Sequence, residues 1–292
     1  MSQPFFSVII PTFERYNFCS NAIDSVLDQS YPGFEVIIVD DHSSDGSYEK
    51  LYENYSQFEK VKILRNYDNL ERGASRNHGI KVAKGKYLSF LDSDDIWEND
   101  HLQTIKNEID NSDRKFMFAT KFIFEDTSGR IIKQIELERV NGFVDYSFFL
   151  LGNPLACNVT VINDPLIIES FEESRNYTGF EDWIFLFLNT KKYPLKIIDR
   201  VTVKMNDHDG RSMRNDHENL IKKRKMATKR IEEKAQLTKK EQKILLTGTD
   251  YFNSVHAYLG NSRKESFKYL INSMKSGINF NKTKLAFRIA FF

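Results

Sequence analysis

Through the first hundred residues a short apolar run, a polar cluster and an amphipathic stretch follow one another repeatedly, and few folds accommodate that alternation. A strand that is apolar on consecutive positions has to be buried on both faces, as in a parallel sheet covered by helices. Residues 6–11 (FSVIIP) and 35–39 (EVIIV) read as two such strands, 61–64 as a third and 87–91 (YLSFL) as a fourth. Between the first two, residues 17–29 place Phe18, Ala22, Ile23, Val26 and Leu27 on one helical stripe, and Pro32 with Gly33 stops it. A second helix carries Tyr48, Leu51 and Tyr55 on its apolar side, and a third spans 74–83, with Gly85 as its stop. The expectation is an α/β protein built of β-α units.

Beyond Ile109 the texture changes. Phe116, Phe118, Phe122 and Phe124 alternate as in a long strand, turns are expected at Gly129 and Gly142, and 159–162 reads as a short strand. A helix is expected to start at Glu181 or Asp182 and turn Trp183, Phe185, Leu186 and Leu188 inward, followed by a strand over 195–203. From about Asn215 the chain becomes a helical tail: residues 220–243 hold ten Lys/Arg against three Glu, and 258–276 resembles a helical hairpin. Three regions follow, 1–110, 111–212 and 213–292.

Bulk properties exclude several classes. With Lys+Arg 42 against Asp+Glu 41 the net charge is +1, so the molecule as a whole lacks the electrostatic footprint of a nucleic-acid binder. Cys19 and Cys157 stand far apart without zinc spacing, which points to a reducing compartment and two structural thiols. No basic segment followed by an apolar stretch opens the chain and no run approaches a membrane span, so a cytoplasmic protein is expected.

In an open parallel sheet, ligands gather outside the carboxyl ends of the strands, where loop amides and helix N-termini converge. Three clusters fall there: Pro11, Thr12, Phe13 and Glu14 after the first strand, Asp40 and Asp41 after the second, and Asp92, Ser93, Asp94 and Asp95 after the fourth. One such cluster reads equally as a helix cap. Carboxylates packed as in DSDD repel one another unless a cation sits among them, and hard oxygen ligands suit Mg²⁺ or Mn²⁺. A calcium loop does not fit, because Ile96 stands where an oxygen ligand is needed, and DDHSSDG has Tyr52 at its twelfth position instead of Glu. There is no GxGxxG, and residues 79–86 fail as a phosphate loop, so metal and side chains have to neutralise any phosphate. Arg76 is suitably placed for that, its alternative being a surface ion pair.

In this order, the motifs SVIIPTFER, VIIVDDHSSDGS, GASRNHGIKVAKGKYLSFLDSDD and GFEDW strongly resemble the family 2 glycosyltransferases, over about residues 7–212. The resemblance implies a GT-A fold, a Rossmann-like mixed sheet with helices on both faces, here followed by the helical tail. It implies that Pro11, Thr12 and Glu14, with Phe13 between them, line a nucleoside pocket, that Asp41 reads a uracil and that Asp40 supports the loop. Arg76 would touch a diphosphate, Asp92 beside Ser93 the ribose or donor sugar, and Asp94 a divalent ion, with Asp95 and His208 as further ligands. Asp182 would be the general base and Glu181 an acceptor-binding or substitute acid. The sequence departs from its relatives at Phe13-Glu14, where they commonly carry Tyr-Asn, and before GFEDW, where a pair of glycines and an acid are missing.

The implied activity is inverting transfer from a nucleotide-diphosphate sugar, a UDP-sugar, to a hydroxyl of a saccharide or lipid-linked saccharide, as in cell-surface polysaccharide synthesis. Such a donor leaves as a stable anion, so one base suffices where glycoside hydrolysis needs two carboxyl groups. A nucleotidyltransferase, or a nucleotide- or carbohydrate-binding module without catalysis, are the alternatives; the first needs a glycine-rich basic loop where FER stands. The basic tail and the final KTKLAFRIAFF are expected either to rest on the anionic inner face of a membrane or to be a solvated helix and a packing segment.

Overall fold

The computed structural model describes residues 3–112, 117–126, 128–134, 142–208, 210–211, 214, 216–275, 277 and 280–291. The first half runs β1 (Phe6–Thr12), α1 (Tyr16–Leu27), β2 (Phe34–Asp40), α2 (Ser47–Tyr55), β3 (Val61–Arg65), α3 (Glu71–Val82) and β4 (Tyr87–Phe90). Next come β5 (Asp95–Trp97), α4 (His101–Asp110), β6 (Met117–Glu125), β7 (Ile131–Gln134), β8 (Gly142–Val144), β9 (Thr160–Ile162), α5 (Glu181–Thr190) and β10 (Leu195–Asn206). Four helices close the chain: α6 (His217–Ala235), α7 (Lys239–Leu259), α8 (Arg263–Met274) and α9 (Phe280–Phe291).

One sheet runs through the molecule in the order β3-β2-β1-β4-β9-β6-β10-β5, with β7 on β6 and β8 on β10. The strands β3, β2, β1 and β4 are parallel, whereas β9 inserts antiparallel between β4 and β6. All seven residues of β1 are buried, as its unbroken apolar run requires. The chain order reverses at β1, which pairs with β2 on one side and β4 on the other, so the carboxyl ends of these strands open on a switch point. The mixed α/β architecture matches the expectation.

Several local expectations need correction. Residues 220–243 are not one helix: Gln236 adopts φ 46 after α6, and a Thr238–Glu241 capping box starts α7. The hairpin read at 258–276 is really the pairing of α7 with α8, its turn lying at Gly260–Ser262. Gly142 opens β8 with φ 105 instead of forming only a turn. β6 begins at Met117, and Phe116 lies outside the described residues. Within DSDD, Asp95 already belongs to a strand: β5 pairs antiparallel with β10, so the acids do not cap α4, whose first residue is His101.

Candidate active site

The loops after β1, β2 and β4 surround a cleft of about 690 Å³ whose walls include Pro11, Thr12, Phe13, Glu14, Asp41, Arg76, Asp92, Ser93 and Asp94. Three residues on its rim hold left-handed backbone without being glycine: Glu14 at φ 49, His42 at φ 67 and Glu71 at φ 73. Each such conformation costs about 1–3 kcal/mol, and such strain gathers where a site dictates the backbone. Glu14 is held in it from two sides, its N–H donating to Ser43 Oγ at 2.8 Å and its carboxylate accepting from Ser44 Oγ at 2.7 Å.

Asp40 and Asp41 leave β2 with different tasks. Asp40 is fully buried and accepts from Ser43 N at 2.9 Å, with Arg65 Nε at 3.5 Å; burial lifts its carboxyl above the ordinary range. Asp41 caps α3 from a distance of thirty residues: Oδ1 accepts from Leu70 N and Asn66 Nδ2, and Oδ2 from Glu71 N, at 2.7–2.8 Å. The first turn of α3 has no cap from its own N-cap residue, so this carboxylate satisfies amides that would otherwise lack a partner.

The cluster after β4 gathers Asp92, Asp94 and Asp95 so that one oxygen of each lies within 4.8 Å of the others. Two basic side chains meet it. Arg15 Nη1 at 3.1 Å and His208 Nε2 at 3.0 Å both meet Asp94 Oδ2, and the His208 ring stacks on Phe18. Asp95 is 1 % exposed, its Oδ2 accepts from Asn158 Nδ2 at 3.2 Å, and its buried Oδ1 has no hydrogen bond. Burial, then the charges of Asp94 and Asp92, raise its carboxyl well above the normal range. A buried carboxylate oxygen without a donor, facing two further carboxylates, fits a hard divalent cation.

Arg76 joins this cluster to α5. The alternative of a surface arginine fails, because Arg76 is 1 % exposed: Nη2 donates to Asp92 Oδ1 at 2.6 Å and Nη1 to Glu181 Oε1 at 2.8 Å. Burial pushes the Asp92 carboxyl up, but Arg76 and Arg72 outweigh it and hold the group below its usual value. Glu181 is buried with both oxygens engaged, Oε1 also facing Arg72 Nε at 3.7 Å and Oε2 accepting from Gly179 N at 2.7 Å. Asp182, next in the chain, accepts from Trp183 N on Oδ1 and Asn153 Nδ2 on Oδ2, both at 2.7 Å. Burial and then the Glu181 charge push its carboxyl up to about 7, against the pull of Arg76. Asp182 is not among the residues of the cleft wall, but it is half-buried and close enough to Asp92 for that charge to contribute to its shift.

Sequence reasoning overlooked four cleft arginines, Arg15, Arg72, Arg175 and Arg211. Arg72 was within reach, since it lies one helical turn before Arg76 on α3. Nothing local marks Arg175, which binds Glu71 at 2.9 Å, or Arg211, which donates to Asn206 O at 2.6 Å and lies 3.8 Å from Asp95.

A family model, Glycosyl transferase family 2, matches residues 7–163, just over half of the chain, and the chain belongs to that family. Among curated relatives, the chain is similar to the Bacillus subtilis (strain 168) glycosyltransferase TuaG, assigned by name to teichuronic acid biosynthesis, at 38 % identity over 101 residues, covering 35 % of this chain and 40 % of TuaG. It is also similar to an uncharacterized glycosyltransferase of Haemophilus influenzae, at 33 % identity over 153 residues, 52 % of this chain and 60 % of that protein. The match thus spans from two fifths to three fifths of these relatives' length. The fold is that of S. aureus TarS 1-349, with a TM-score of 0.61 at 18 % identity over 94 % of this chain and 92 % of that one. The same protein in complex with UDP-GlcNAc gives a TM-score of 0.62 at 18 % identity over 90 % and 88 %. Among the described residues no helix is long and apolar enough to cross a membrane.

Proposed function

We propose that the protein transfers a sugar from a UDP-sugar to a hydroxyl of a saccharide or lipid-linked saccharide, with inversion at the anomeric carbon. One observation carries this reading: Arg76 binds Asp92 with one nitrogen and Glu181, the neighbour of Asp182 in the chain, with another, so one buried cation links the acid cluster to the start of α5. The UDP and UDP-GlcNAc complexes of the TarS neighbour support the choice of nucleotide.

In this mechanism Thr12, Phe13 and Glu14 bound the nucleoside pocket, and Asp41, which keeps one lone pair beyond its three donors, accepts from the base. Asp92, Asp94 and Asp95, with His208 beside them, would hold Mn²⁺ or Mg²⁺. When bound, such an ion supplies Lewis-acid stabilisation for a diphosphate leaving group. Arg76 and Arg72 add fixed positive charge on the same wall. Asp182 takes the proton of the acceptor hydroxyl as that oxygen bonds to the anomeric carbon, and the carbon–oxygen bond to the diphosphate breaks on the opposite face, releasing UDP as an anion. The tail supports contact with an anionic membrane surface, near a lipid-linked acceptor: α8 exposes Phe267 and Ile271 one turn apart, beside exposed Lys264, Lys268 and Lys275.

The test incubates purified protein with UDP-, GDP- and dTDP-sugars, with and without Mn²⁺. Metal-dependent release of UDP is expected, and Asp94→Asn should weaken Mn²⁺-dependent UDP binding by about tenfold or more in calorimetry. Preference for GDP or dTDP overturns the role of Asp41, and no release from any donor leaves the binding-module alternative standing.

A further inference from the structure

We infer that Asn153 and Arg224 are positioning residues that aim the Asp182 carboxylate, so that the C-terminal helical region is part of the catalytic apparatus. The inference rests on the reading of Asp182 as the base. One Asp182 oxygen is held by the start of its own helix, through Trp183 N. The orientation of the carboxylate plane therefore depends on the second contact, Asn153 Nδ2 to Oδ2 at 2.7 Å. Asn153 has no rotational freedom to lose, since its Nδ2 also donates to Ala156 O at 3.0 Å and its Oδ1 accepts from Leu155 N at 2.9 Å.

The loop that carries Asn153 is stapled to α5 and α6 at alternate residues. Trp183 Nε1 donates to Phe149 O at 2.7 Å, Arg224 Nη2 donates to Leu151 O at 2.9 Å, and Asn153 meets Asp182. Between the last two, Gly152 takes φ +148, and a Cβ there would sit 3.4 Å from Arg224 Nη1 and 3.8 Å from Nη2, so the backbone lies against the guanidinium. The guanidinium in turn stacks 3.6 Å over the Trp183 ring, the residue after Asp182, while its Nε donates to Thr249 Oγ1 of α7 at 3.3 Å. One side chain of α6 thus touches both ends of the arrangement, the loop before Asn153 and the residue beside the base.

Arg224 is an expensive way to fill this space. It is 3 % exposed, and burial, with no neighbouring carboxylate to oppose it among the described residues, pulls its guanidinium down to about 9. An apolar side chain of similar volume would avoid that desolvation, so what the position uses is the planar, multi-donor geometry.

The experiment compares Asn153→Ala, Arg224→Lys and their double variant with the full chain, measuring kcat, both KM values, UDP affinity and the pH profile of transfer. In each single variant kcat should fall about ten- to a hundredfold, the effect of misplacing a reacting group by about 1 Å, with donor KM and UDP affinity within about twofold. Asn153→Ala should also move the acid limb upward, because an N–H donor favours the charged carboxylate, while Glu181, Arg76, Asp92 and Cys157, the other titratable groups around Asp182, stay in place. In the double variant the losses should not multiply, since both act through one carboxylate. Unchanged kcat and an unmoved limb in Asn153→Ala, whose half-buried side chain can be lost without opening the core, overturn the inference, as do fully multiplicative losses. Asp182→Asn separates the two readings. If it retains turnover the base assignment itself falls, and if it is inactive while the other variants match the parent, only the positioning role falls.

Discussion

As the proposed base, Asp182 would concentrate the pH behaviour of the site. A base works in its deprotonated form, and burial, with Glu181 and Asp92 adding to it, places that carboxyl at about 7. Transfer should therefore decline as pH falls below about 7, and Asp182→Asn should lower kcat by about a hundred- to ten-thousandfold while leaving UDP affinity intact in calorimetry. The same shift has a cost in stability. The folded chain keeps a proton on Asp182 that the unfolded chain, with the ordinary value of 3.8, has already released, so stability falls as pH rises from about 4 through about 7. Denaturant midpoints across that range should fall less steeply in Asp182→Asn. In the sequence, Asp182 stood out through GFEDW, but neither its elevated carboxyl nor its partner Asn153 was legible. The first depends on burial and on the Glu181 charge, the second on a loop twenty-nine residues upstream folding onto the start of α5.

At the scale of elements, α3 delivers Arg72 and Arg76 to the cleft only because it can approach the segment before α5 very closely. A Cβ on Gly73 would lie 2.2 Å from the Glu172 carbonyl oxygen, a backbone atom that cannot swing aside. Gly73→Ala should therefore push the helix outward, destabilise the fold by about 1–3 kcal/mol in chemical denaturation, and weaken UDP binding by displacing both arginines. The periodicity of 74–83 was enough to read this helix, yet its true start at Glu71 was not, because the carboxylate that caps it comes from Asp41 across the cleft. In the same way β5 was hidden. A three-residue strand inside an acidic motif has no periodicity to read, and only its pairing with β10 makes it a strand.

For the whole molecule, the tail divides its apolar residues between packing and exposure. In α6 Leu220, Ile221, Ala227 and Ile231 are buried, and in α9 Leu285 and Ile289 pack with Leu270. Among the described residues, Leu246 and Leu259 of α7 and the Phe267 and Ile271 face of α8 are exposed, the latter two among lysines. Sedimentation with anionic vesicles should recover the protein at low salt and release it at high salt, and Phe267→Glu should reduce recovery at low salt. No sedimentation at low salt ends the membrane reading.

Nearly continuous apolar strand runs and acids clustered at their carboxyl ends are local facts, so the sequence alone determined the α/β class, the succession of the first strands along the chain and about half of the residues that line the cleft. Which groups meet was decided by the tertiary structure. Burial of Arg76 between Asp92, 16 positions further on, and Glu181, 105 positions further on, and the seat of Arg224 on Trp183 arise from packing among distant elements. Charge states follow from that packing, because desolvation and neighbouring charges act only once the chain has closed around them.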